Sequence, residues 1–145
     1  MRAAIYSILQ ANTGAGHVLG ESYDVPNDPQ KTDFGAYPVA EIHYDEKTVI
    51  ANGGDNRDWE IDMRFLVVVY VPMDPDVIGT AEKTMDTVMD TLDNAIAQNL
   101  TLGGAVIVVE PAQTKPEIIV AKSKLLYATA LIVSGRFLQP TNALS

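Results

Sequence analysis

The chain has 145 residues, a formal net charge of −9 and no cysteine. That length is one ordinary domain, able to bury a core without disulfide or metal. The missing cysteine excludes thiol nucleophiles, thiolate zinc sites and disulfides together. Ten basic residues scattered against nineteen acidic ones argue against a clamp on nucleic acid, which relies on concentrated Lys and Arg.

In chain order, Ala4, Ile5, Ile8 and Leu9 form the stripe of a short amphipathic helix over 1–11, ended by Gly14 and Gly16. From Gly20 to Ala36 the chain is rich in Asp, Asn, Pro and Gly and reads as a long irregular loop within a loop region of about 12–36. Strand character runs from Tyr37 to Tyr44, with Asp45-Glu46 as a turn into Lys47–Ala51 and a second turn over Asn52–Asn56. Over Trp59–Val71, Trp59, Ile61, Met63 and Phe65 alternate with Glu60, Asp62 and Arg64, so one sheet face is wet there. From Phe65 both faces become apolar, and something must cover the second.

Pro72 ends that strand. Asp74-Pro75-Asp76 reads as a helix start, with Asp74 as N-cap, and Ile78, Ala81, Met85, Val88, Met89, Leu92 and Ile96 give one apolar stripe to about Asn99. Thr101–Gly104 turns the chain into a β-branched run, Ala105–Glu110, bounded by Pro111. Ile118–Ala121 is a short strand, Leu125–Phe137 a long one that is largely apolar on both faces, and 139–145 a flexible tail. The fold class expected is α+β in a single domain, 1–145: a mainly antiparallel sheet packed by one long amphipathic helix (75–99) and a short N-terminal helix. No apolar stretch approaches the roughly 20 residues of a membrane span, so the chain reads as soluble and intracellular, with no membrane partner.

Residues that carry chemistry are sparse. His17 lies in a Gly-rich loop and His43 on a strand, neither at the spacing of a triad or zinc site. Gly14-Ala15-Gly16 follows a helix, whereas phosphate-binding loops follow a strand. Asn52, Asp55, Asn56 and Asp58 offer oxygens to a hard cation but lack the order of a calcium loop. Glu41, Glu110 and Glu117 form an acid–base pair only if folding brings them together. No catalytic residue, cofactor or metal is assigned. What the pattern does imply is an apolar excess: Phe65–Val71 and Leu125–Val133 carry more buried character than one helix covers. Either residues 1–11 and the long loop complete a monomer core, or part of the second face packs on another copy.

Several local phrases, in this order, resemble the tail terminator (tail completion) proteins of long-tailed bacteriophages. They are Tyr37-Pro38-Val39-Ala40-Glu41-Ile42 with the acidic Asp45-Glu46, the strand Arg64–Val71 closing in Pro72, and the helix ending Leu92-Asp93-Asn94-Ala95-Ile96. Leu100-Thr101-Leu102-Gly103-Gly104 then leads to the apolar Leu125–Val133. The resemblance implies a non-enzymatic virion protein, assembled in the host cytoplasm, forming a hexameric ring at the head-proximal end of the tail tube. Such a ring stops tube growth and presents a surface to the head–tail connector, so its partners are further copies of itself, the tube protein and the connector. DNA passes through the lumen unbound. The contact surface expected is Leu66, Val68, Tyr70, Leu126, Ala128, Ala130 and Ile132, with docking loops at Asp24, Asn27, Asp28 and Lys31 and at Asp55, Asn56 and Arg57. The alternatives are another neck or tube-like ring component, or a small-molecule-binding domain.

Overall fold

In a computed structural model, described here over residues 1–52, 59–99, 108–122 and 124–139, two helices lie on one side of a six-stranded sheet. The elements are α1 (Arg2–Ala11), β1 (Glu21–Tyr23), β2 (Val39–Asn52), β3 (Trp59–Pro72), α2 (Ile78–Ala97), β4 (Val108–Gln113), β5 (Glu117–Val120) and β6 (Leu125–Gln139). The sheet order is β1-β2-β3-β6, with β4 and β5 pairing successive stretches of β6. Only the short β1–β2 pairing is parallel, so the fold is α+β with a mainly antiparallel sheet, as the hydrophobic pattern predicts.

The core follows from two periodicities meeting. On one face of the sheet Ala40 and Ile42 of β2, Phe65, Val67, Val69 and Val71 of β3, and Leu131 and Val133 of β6 are buried. Against them α2 sets Ala81, Met85, Val88, Met89, Leu92 and Ile96 at helical spacing, and α1 adds Ile5 and Leu9, both fully buried. Burying side chains of this size contributes about 1.5–3 kcal/mol each.

Five local readings need correction. Asp45-Glu46 is no turn: β2 runs through as one strand, and a register shift between Tyr44 and Glu46 makes Asp45 a bulge held by Arg64. Asp74 does not cap α2. Its Oδ1 accepts the Asp76 N–H (2.9 Å) and its carbonyl the Val77 N–H (3.0 Å), so a turn precedes a helix that starts at Ile78 with Val77 as N-cap. Pro111 lies within β4, opposite Val133 on an edge strand where its missing N–H is tolerated. The segment after Gly20 contains β1, paired to Val39–Glu41. Finally, α1 packs beside α2 on the same sheet face, so neither described helix lies on the second face. The turns at Asn52–Asn56 and Thr101–Gly104, the calcium-type cluster and the tail lie wholly or largely outside the described residues.

Close approach explains one glycine. At Gly20 an added Cβ would stand 2.8 Å from the Ala36 carbonyl carbon and 2.9 Å from the Tyr37 nitrogen, beside the cis Tyr37–Pro38 bond. Gly20 N–H meanwhile donates to Pro38 O at 2.8 Å.

Candidate functional site

The face without helices divides into three zones, set by the two-residue period of the strands. At one end Asp62 and Arg64 of β3 face Arg136 and Ser134 of β6, and ion pairs join Arg136 to Glu60 and Arg64 to Asp45 and Glu46. In the middle, Leu66 opposes Ile132 and Val68 opposes Ala130. At the other end Tyr70 opposes Ala128 and Pro72 opposes Leu126.

That last zone is covered by the chain between β1 and β2. Phe34, 7% exposed, joins Val39, Tyr70, Leu126 and Ala128 in a second apolar cluster. Its ring stacks on Tyr70 (centroids 6.1 Å, 19°) and meets Tyr23 and Tyr37 at 5.7 and 6.0 Å. Aromatic pairs at such distances add about 0.5–1.5 kcal/mol each beyond area burial. The middle zone stays open. Leu66, Val68 and Ala130 floor a groove of about 340 Å³ whose far wall is Thr114, Lys115 and Ile119.

Beside the groove, on β2, sits a carboxylate with no solvent contact. Glu41 is fully buried, opposite Val68. Its Oε1 accepts from Tyr70 Oη–H (2.9 Å) and lies 3.0 Å from His43 Nε2; its Oε2 accepts the Asn27 backbone N–H (2.7 Å). A carboxylate oxygen offers only lone pairs here, so the hydrogen between it and His43 is assigned to Nε2. Burial, followed by the Glu41 charge and the hydrogen bond to it, pushes the Tyr70 phenol well above the usual tyrosine range. Glu21 repeats the arrangement one strand over: its carboxylate accepts from Tyr23 Oη–H and, at 3.0 Å, from Gly35 N–H. That hydrogen bond first, then burial and the Glu21 charge, pushes the Tyr23 phenol up to about 12.

The seven contact residues expected from sequence all lie on this one face, but they divide. Tyr70, Leu126, Ala128 and Ala130 are buried, while Leu66, Val68 and Ile132 are half-buried; Leu66, Val68, Ala128 and Ala130 line the groove. Of the docking loop, Asp24, Asp28 and Lys31 are exposed, whereas Asn27 is half-buried and its backbone is tied to Glu41. Asp55, Asn56 and Arg57 lie outside the described residues. His17 is exposed, and Glu117 stands on the groove wall. Sequence reading named Glu41 as a candidate acid, but neither its buried set of partners nor Phe34. The available signal was the phase of β2: Val39, Glu41 and His43 share a face, which places an acid among apolar neighbours.

Chemically, Glu41 can orient the His43 imidazole, which is 31% exposed. Among the described residues no hydroxyl is hydrogen-bonded to His43, and no group of three His, Cys, Asp or Glu side chains can hold a metal. No described helix is long and apolar enough to cross a membrane. No protein-family model matches the chain, and no curated protein matches it.

Proposed function

We propose that the chain is a structural subunit that associates with copies of itself through the half of its sheet lacking helices, and that the assembly is a ring. The observation that carries the association is the band Leu66–Val68–Ile132, an apolar strip left half-open between a charged zone and a covered one. Half-buried branched side chains grouped on one sheet face gain about 25 cal/mol for each Å² removed from water, which favours a matching surface.

The more specific reading is the one carried by the sequence phrases: a phage tail terminator, capping the head-proximal end of the tail tube and docking the connector. It is supported by the order of elements, by the "Tyr-Pro" opening ahead of β2 and by the apolar β6. Light scattering and negative-stain microscopy of the purified protein test the first step, with rings of uniform size as the expected result. Addition to growing tail tubes tests the second: elongation stops with density at one end. A protein that stays monomeric at all concentrations refutes the ring. Filaments of this protein alone would make it a tube subunit, and tubes that elongate unchanged would remove the terminator.

The Glu41–His43 pair beside the groove favours a second reading, a small-molecule site. A ligand seated there would shift the His43 ring resonances, and an unchanged imidazole spectrum across an apolar fragment library rejects it.

A further inference from the structure

The segment from Asp24 to Ala36 crosses the sheet's second face as a strap, and the way it is fastened differs from the way the rest of the fold is held. No described residue of it joins a ladder. Among the contacts that tie it down are Asn27 N–H to Glu41 Oε2, Gly35 N–H to Glu21 Oε1, Lys122 N–H to Pro29 O (3.1 Å), Arg2 Nη1 to Asp24 O (2.7 Å) and an ion pair between Lys122 Nζ and Asp33 Oδ2 (3.8 Å). The single large apolar side chain it inserts is Phe34; Val25, at 49% exposed, points away. Within the strap Asp28 organises a turn, its carbonyl accepting from Lys31 and Thr32 and its Oδ1 from Gln30. A segment outside the ladders and held by separate contacts can open apart from the core.

What lies underneath makes that motion consequential. Lifting the strap withdraws Phe34 and uncovers Val39, Tyr70, Leu126 and Ala128, which continue directly into the open floor of Leu66, Val68 and Ala130. Glu41 stands at the junction. With the strap down, its carboxylate is sealed by Asn27, Tyr70 and His43; with the strap up, water takes the place of the Asn27 amide and rehydrates it. Rehydration of the carboxylate would offset part of the loss of Phe34 packing.

We propose that residues 24–36 are a lid, latched by Glu41, that hides half of the apolar strip in the free subunit and opens as a unit separate from the core. Its consequence for assembly rests on the self-association reading above: the neighbouring copy is the occupant of the lengthened strip, because that strip is continuous with the half-open band on which association depends.

Two measurements decide the proposal. In native-state hydrogen exchange, the Asn27 and Gly35 amides should exchange at least about a hundredfold faster than the β3 amides, and together. Exchange of these amides only at the rate of the β3 core would mean the strap opens by global unfolding, and there is no lid. For gating, a disulfide is placed where Lys122 N–H donates to Pro29 O at 3.1 Å, in a chain with no cysteine of its own. The Pro29→Cys/Lys122→Cys variant should associate about tenfold less readily when oxidised and recover when reduced. Equal association in both states overturns gating. If the wild-type protein never associates, the self-association reading fails, and the lid is judged on exchange alone.

Discussion

Replacing Glu41 by alanine removes one acceptor from three donors at once, and the cost follows from which of them water can reach. Tyr70 is 4% exposed, and its hydroxyl loses its partner; the Asn27 amide, drawn 2.7 Å from the carboxylate, loses its own. Each buried donor left unpaired costs about 1–3 kcal/mol, while His43, 31% exposed, turns to solvent at little cost. Against the sum stands relief from burying a carboxylate at all. The net expected for Glu41→Ala is a loss of about 3 kcal/mol in urea unfolding at unchanged m-value. Glu41→Gln keeps the shape, with an oxygen for Asn27 and an NH₂ that can donate to Tyr70 Oη, so its loss should be about 1 kcal/mol. A cycle combining Glu41→Ala with Tyr70→Phe should show coupling of about 1 kcal/mol. The reasoning fails if alanine and glutamine cost the same, or if alanine costs less than about 0.5 kcal/mol.

Two leucines separate folding from association: Leu131→Asp places a charge at a fully buried position under α2 and should leave no folded protein by circular dichroism, whereas Leu66→Asp, half-buried on the open face, should fold and lose self-association by light scattering. Soluble, associating protein from both would contradict the assignment of faces. Gly20→Ala drives a methyl against the Ala36–Tyr37 backbone and should cost about 1–3 kcal/mol in denaturant unfolding, with an unchanged midpoint as the opposing result. At alkaline pH the protonated phenols of Tyr23 and Tyr70 are the forms the fold favours. Their contribution is complete below the unfolded tyrosine value near 10 and is lost as pH rises toward the folded values, about 12 for Tyr23 and higher for Tyr70. Thermal midpoints should therefore fall above pH about 10, less steeply in Tyr70→Phe; a flat profile would show these phenols to be ordinary.

The long elements were legible because period alone defines them. The Trp59–Phe65 alternation and the α2 stripe each repeat often enough to outweigh local noise, and their buried faces follow directly. The errors arose where tertiary partners decide. Asp45-Glu46 resembles a turn in composition, yet Arg64 across the ladder stabilises the extra residue as a bulge. Asp74 has the chemistry of a cap but spends it on a turn one step earlier. That both central strands are apolar on two faces was legible, but a second cover reaches only one end of that face, and where Phe34 lands decides it; a single aromatic in a polar stretch has no period to betray it. Glu41 was visible as a candidate acid; its partners come from 14 residues before and 29 after, distances no local pattern spans.

The borders of the sheet have a bearing on how copies can meet. Beyond Glu41 the outer side of β2 has no strand neighbour among the described residues, and it carries a bulge with charged side chains; the opposite border, β4, contains a proline. Both features disfavour pairing with a further strand at those two stretches, whereas β5, paired among the described residues to β6 alone, carries the exposed Ile118 and Val120. On the self-association proposed above, contacts between copies at those stretches would therefore fall to side chains and not to the backbone.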